Sequence, residues 1–210
     1  RLNALRQKIM GQHPTLKEVY GSPFYGIKTG LNEAFVIDAA TRERLISEDP
    51  RSDEIIKPFL RGENLKKWRI ESKNEYILLI KSGSTLRGGS EAQAWELFQN
   101  KQPAIARWLK NFETAARKRS DKGEFWWELR ACAYYDKFEA PKIIYPDLSQ
   151  GSKFSLDEKS SFSTNTVYFI SNADYWTVAL LNSKGDTWSL ASAVCINKAI
   201  AEHIILNNKK

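Results

Sequence analysis

Two groups of side chains in this 210-residue chain are of types that could do chemistry. The first is acidic. Pro146-Asp147 precedes Asp157-Glu158-Lys159, which matches the spacing of a PD-(D/E)xK nuclease signature. In that chemistry Asp147 and Asp157 hold Mg²⁺, and Lys159 orients a water or steadies developing charge. The same triplet also reads as turn residues in a serine-rich stretch, and short motifs of this kind often match by chance. The second group is basic and aromatic. It comprises Lys28, Thr29 and Asn32; Arg61 with Lys66, Lys67 and Arg69; Arg117, Lys118, Arg119 and Lys122; Trp127 with Arg130; and Lys142 and Lys153. Lysine and arginine suit phosphate, asparagine suits a base edge, and an indole can stack on a base.

Each basic element has a plainer reading beside it. Gly30 and Asn32 also suit tight-turn geometry. Cations after a long helix favour its dipole. The tryptophans between Phe125 and Leu129 could be core, and serines around Lys153 could form either a recognition loop or an unordered one. The overall balance favours an acidic partner. Lys and Arg number 32 against 25 Asp and Glu, giving a net charge of +7 and a pI near 9.3, which suits nucleic acid.

Other reaction centres are missing. The chain holds no Walker A loop, G-x-G-x-x-G, H-E-x-x-H or G-x-S-x-G. An adenine methyltransferase needs an Asn/Asp-Pro-Pro-Tyr/Phe segment, but Asp49-Pro50 is followed by Arg51. His13, His203, Cys132 and Cys195 lack ligand spacing, so no structural zinc is expected. Two isolated thiols suit a reducing, cytoplasmic setting.

The elements that must position these residues are mixed. Hydrophobic residues make up 42% and charged residues 27%, which is globular rather than disordered. The apolar runs are too short to span a membrane. Arg1–Met10 reads as a helix. Gly21–Asp38 reads as a hairpin, and Ser52–Leu60 as a short helix. Ser90 should cap a long helix that Pro103 interrupts. Lys142–Pro146 and Val167–Ile170 read as core strands, and Ala191–Leu206 as a C-terminal helix. Without βαβ alternation, the expected class is α+β, with mixed sheets, flanking helices and one long Pro-interrupted helix.

Three segments in order carry a family resemblance. They are Gly26-Ile27-Lys28-Thr29-Gly30-Leu31-Asn32-Glu33-Ala34-Phe35-Val36-Ile37; Ile56-Lys57-Pro58-Phe59-Leu60-Arg61-Gly62-Glu63-Asn64-Leu65 before Trp68; and Phe125 to Arg130, Phe138 to Pro146 and Leu180 to Ser183. Together they resemble the TaqI-like C-terminal specificity domain. That domain is the target recognition domain of N6-adenine DNA methyltransferases and Type IIG restriction-modification enzymes. The resemblance implies a DNA-reading module at 20–184 that positions duplex DNA for an upstream methyltransferase domain of the same polypeptide. Residues 1–19 would be a helical linker from that domain, as the arginine start suggests. Residues 185–210 would be a divergent or truncated helical segment. S-adenosylmethionine, and Mg²⁺ where a nuclease is fused, would belong to the other domains, so this segment alone is expected to catalyse nothing. The rival expectations are an Mg²⁺-dependent nuclease and a protein-interaction domain docking a methyltransferase subunit.

Overall fold

The computed structural model describes residues 15–182. The expected helices at 1–10 and 191–206 lie outside that range. In chain order the elements are α1 (Leu16–Tyr20), β1 (Phe24–Tyr25), α2 (Asn32–Phe35), β2 (Val36–Ile37), α3 (Ala39–Glu48), β3 (Ile56–Leu60) and β4 (Glu75–Leu78). Then come α4 (Glu91–Lys101), α5 (Pro103–Lys110), α6 (Glu113–Lys118), β5 (Lys142–Pro146), β6 (Ser155–Asp157), β7 (Phe162–Ser163), β8 (Val167–Ser171) and α7 (Tyr175–Leu181). This is the α+β class expected from the sequence. The chain divides into two units. One comprises 15–26, 61–71 and 136–182 among the described residues, and the other 27–60 and 72–135.

The first unit is built on an antiparallel sheet ordered β1-β8-β5-β6. Its central strands read Lys-Ile-Ile-Tyr-Pro and Val-Tyr-Phe-Ile-Ser, rich in the β-branched and aromatic residues that fit a pleated surface. Ile143, Tyr145, Phe154, Ile170, Val178 and Leu181 form a core that Leu16 and Tyr20 help to cover. Phe138 stacks on Phe162 at 4.8 Å between centroids and meets a tilted Phe169 ring at 4.4 Å. Thr15 and Glu18 close a capping box on α1, and Asp174 caps α7 by accepting from the Thr177 amide at 2.9 Å. A 2.8 Å hydroxyl contact between Tyr20 and Thr177 ties the two helices together.

In the second unit β2 and β3 flank β4, both antiparallel to it. The Pro-interrupted helix forms as expected. Ser90 accepts from the Gln93 amide and Gln93 answers in a capping box. The helix then breaks at buried Gln102, and Pro103 starts α5 where its missing N–H costs nothing. Gln102 secures the break by donating to the Arg51 carbonyl at 3.2 Å. Ile105, Ala106 and Leu109 of α5 are buried.

Two expected elements are corrected. Gly21–Asp38 is no hairpin: β1 pairs with β8 and β2 with β4. Between them Asn32–Phe35 coils so that Ala34 and Phe35 become fully buried. Gly26 marks the divergence. Its amide donates to Val167 at 2.9 Å, and a Cβ there would lie 2.1 Å from the Thr164 carbonyl oxygen. The second correction is Ser52–Leu60, whose first residues complete a 3-10 turn spanning Pro50–Glu54 and whose remainder is strand β3. Ile56, Phe59 and Leu60 are buried there, because pairing with β4 outweighs local helical preference.

Burial has a measurable consequence in each unit. Desolvation raises the phenols of Tyr145 and Tyr135 well above the usual tyrosine range. The folded chain therefore holds these protons more tightly than the unfolded chain. The associated stability is complete below about pH 10 and is lost as pH rises further. Tyrosinate absorbance followed with circular dichroism should show two phenols that ionise only as the fold is lost. Full ionisation of every tyrosine in a still-folded chain would contradict this.

Candidate nucleic-acid interface

In the second unit the loop at 27–31 and the loop after α6 meet around Arg119. Its guanidinium is buried and donates to the backbone carbonyls of Thr29, Asp121, Trp126 and Glu128. It also lies 4.1 Å from the centroid of the Phe35 ring. Burial lowers its pKa to about 10, with Asp121 opposing, so it stays charged at neutral pH. Arg119 is therefore a structural tie and not the phosphate contact its sequence neighbours suggested.

Asp121, itself buried, is bracketed by two exposed cations. Lys28 Nζ lies 3.2 Å from one carboxylate oxygen and Arg130 3.5 Å from the other. Gly30, at φ 69°, lets the loop close on this pair, since a Cβ there would stand 3.1 Å from the Asp121 Cβ. Thr29 is buried, donating its hydroxyl to Asn32 Oδ1 at 2.6 Å and accepting from the Leu31 amide. Thr29 thus performs the turn chemistry, while Lys28, Asn32 and Arg130 stay exposed beside it.

The remaining cations of this unit separate by role. Arg117 is occupied by Glu91 at 2.5 Å and Glu113 at 2.8 Å. Lys122 donates to the carbonyls of Arg117 and Arg119, both at 3.3 Å, closing the C-terminal end of α6. Lys118 is exposed. Trp127 is fully buried and cannot stack on a base. Its ring is parallel to Phe125 at 4.8 Å, and its indole N–H donates to Thr85 at 3.1 Å.

The sequence did not reveal the residue that organises these loops. Glu128 is fully buried. Its carboxylate accepts from the amides of Gly83 (3.0 Å), Glu124 (3.1 Å), Phe125 (3.3 Å) and Thr85 (3.4 Å). A lone glutamate between three aromatic residues and Leu129 was the available signal, since unpaired charge is rarely placed there.

In the first unit Lys66, Lys67 and Arg69 lie on a tight turn. The turn is closed by the Leu65–Ile70 bridge and by the Lys66 amide on the Arg69 carbonyl at 3.0 Å. Ser155 donates its hydroxyl to both the Lys66 and Arg69 carbonyls, at 2.7 Å and 3.0 Å. The Trp68 amide donates to Phe154 at 3.1 Å. The turn is thereby set beside β6 and the segment that leads into it, which carries the half-buried Lys153. Glu71 pairs with Arg69 at 2.5 Å and reaches Lys66 at 3.9 Å. Lys67 is exposed and forms no ion pair among the described residues. Arg61 stands partly exposed before the turn, its amide held by Asn64 Oδ1 at 2.6 Å.

Lys142 is corrected outright. It is fully buried on β5, opposite Asp157 in register, with its ammonium 2.6 Å from Asp157 Oδ2 and 2.6 Å from the Phe138 carbonyl. Burial lowers its pKa while Asp157 opposes the shift. This pairing also bears on the nuclease signature. Asp157 Oδ2 accepts from Lys142 and the Ser161 amide, and Oδ1 from the Lys159 amide and the Ser161 hydroxyl. Its lone pairs are committed to the fold, so Asp157 is not placed to ligate Mg²⁺. Among the described residues no three His, Cys, Asp or Glu side chains gather as a metal ion requires.

Comparison with known proteins decides the family. The model of the TaqI-like C-terminal specificity domain matches residues 57–208, well over half of the chain. The chain is a TaqI-like C-terminal specificity domain. No curated protein matches it. Among solved structures, the Type IIL restriction-modification enzyme MmeI in complex with DNA aligns at a TM-score of 0.55 and 14% identity. The alignment covers 82% of this specificity domain but 22% of the MmeI chain, and it shows a shared fold. Among the described residues of the specificity domain, no helix is long and apolar enough to cross a membrane.

Proposed function

We propose that this chain is the DNA-recognition domain of a restriction-modification adenine-N6 methyltransferase. It would hold duplex DNA for a catalytic domain elsewhere in the enzyme. Membership of the specificity-domain family carries the reading. The exposed cations support it: Lys28, Lys118 and Arg130 in one unit, and Lys67 and Arg69 in the other. These side chains would neutralise phosphates, while Asn32 and Arg130 are long or polar enough to reach base edges. MmeI, which shares the fold, is seen with DNA, and that supports duplex DNA as the ligand here. The chain carries no Asn/Asp-Pro-Pro-Tyr/Phe segment and no Gly-rich cofactor loop. In this reading S-adenosylmethionine and methyl transfer would belong to a methyltransferase domain of the same enzyme, acting in the cytoplasm.

Duplex binding at two salt concentrations tests the proposal. Affinity should fall steeply between about 50 mM and 200 mM salt, because each phosphate contact releases counterions. Replacing Lys118 and Arg130 together by alanine should make the slope of log K against log salt shallower by about two. Absence of binding at low salt, or binding indifferent to salt, would refute the reading. Binding to a methyltransferase subunit but never to DNA would replace it with a protein-docking role.

A further inference from the structure

The tip of the basic turn holds a residue that its geometry does not call for. Lys67 and Trp68 are the two loop residues between Lys66 and Arg69. Trp68 has φ 74°, in the left-handed region. A turn with positive φ at its second loop residue is ordinarily filled by glycine or asparagine, since a larger side chain is strained there. The residue is a tryptophan, and its side chain is not stored in the core: Trp68 is 52% exposed, whereas Trp127 is at 0% and Trp126 at 3%. What holds Trp68 is its backbone, through its amide on the Phe154 carbonyl and Ser155 bridging the carbonyls on both sides. The strain is thus maintained by the neighbouring strand, and its result is an indole presented outward. Lys66, Lys67 and Arg69 flank it along the turn, and Glu71 offsets one of these three charges. A flat apolar face among cations fits a ligand that alternates anionic and flat apolar surfaces. Nucleic acid has that character, with phosphates beside base faces.

We infer that Trp68 is a DNA-contacting residue of this domain, seating its indole on a base at an opened step of the duplex while Lys67 and Arg69 hold the adjacent phosphates. The inference rests on the DNA-recognition reading above and assigns it a particular contact. Stacking on a base contributes affinity without charge, whereas a lysine or arginine contributes mainly through counterion release. The two kinds of contact therefore separate in a salt titration.

The test uses the full chain and a mixed-sequence 30-base-pair duplex (a length of about three helical turns). Trp68→Gly removes the indole and relieves the left-handed backbone. It should weaken binding by about tenfold or more at every salt concentration, with the slope against salt unchanged and thermal stability equal to or above that of the parent. Lys67→Ala should lower the slope by about one. Trp68→Phe keeps an aromatic face and should recover most of the affinity. It should also remove part of the tryptophan fluorescence quenching that duplex produces in the parent. Parent binding with unaltered affinity and quenching in both Trp68 variants would overturn this contact while leaving DNA recognition intact. A parent that binds no duplex would overturn both.

Discussion

Asp157→Asn should destabilise the chain by about 3–5 kcal/mol, because it leaves the Lys142 ammonium buried without its counter-charge. The change keeps the side chain's shape, so loss of packing does not account for the effect. In the parent, Asp157 lies opposite Lys142 across the β5–β6 ladder, with both side chains 1% exposed. Removing the other partner is predicted to cost less. After Lys142→Met the carboxylate keeps the Lys159 and Ser161 amides and the Ser161 hydroxyl, and the Phe138 carbonyl loses one donor. That should cost about 1–2 kcal/mol. Urea unfolding midpoints decide the order. A Lys142→Met variant as unstable as Asp157→Asn would show that the carboxylate depends on the ammonium rather than on its amide cradle. Against a total stability on the order of 5–15 kcal/mol, the Asp157 change removes a large share.

The second large effect falls on Glu128. Glu128→Ala deprives four amides of their acceptor and should cost on the order of 4 kcal/mol, since each lost bond to a charged group is worth about 1.5–3 kcal/mol and the effects overlap. Glu128→Gln should be much milder, at about 1 kcal/mol. Its amide oxygen can face the three donors now on Oε2, from Gly83, Glu124 and Phe125, so that only the 3.4 Å bond from Thr85 is given up. Thr85 also receives the Trp127 indole N–H. Near-ultraviolet circular dichroism of the tryptophan cluster should therefore register the alanine variant strongly. Equal losses for glutamine and alanine would show that the negative charge, rather than an accepting oxygen, holds these loops.

Both predictions concern residues whose roles were hard to read along the chain. The long helix was legible because its signals are local: Ser90 and Gln93 close a cap within one turn, and Pro103 stops the helix wherever it stands. Strands β5 and β8 were legible from their apolar runs. The fate of the cations was not. Lys142 and Arg119 carry the same charge as Lys67 and Arg130, but their partners are supplied by segments distant in sequence, such as Asp157 and the Thr29 carbonyl. Composition counts such side chains as surface, whereas tertiary structure buries them wherever enough acceptors converge. The tryptophans diverge for the same reason. Trp127 enters a nest of rings contributed by α4 and its own loop, while Trp68 sits on a turn too short to enclose it.

Asn182, which follows α7, touches the segment leading into β6 beside the basic turn in a way that matters beyond recognition. Its side-chain oxygen accepts from the Phe154 amide at 3.2 Å, and its side-chain nitrogen donates to the Phe154 carbonyl at 2.7 Å. A single carboxamide therefore imitates one rung of a neighbouring strand. Strand β6 ends the order β1-β8-β5-β6, so the backbone leading into it would otherwise offer a free pairing site to another chain. With Asn182 on Phe154 and Ser155 turned to the Lys66 and Arg69 carbonyls, that approach is capped from within the same molecule. The domain can thus expose a cationic turn at the margin of a sheet without making that margin a template for aggregation.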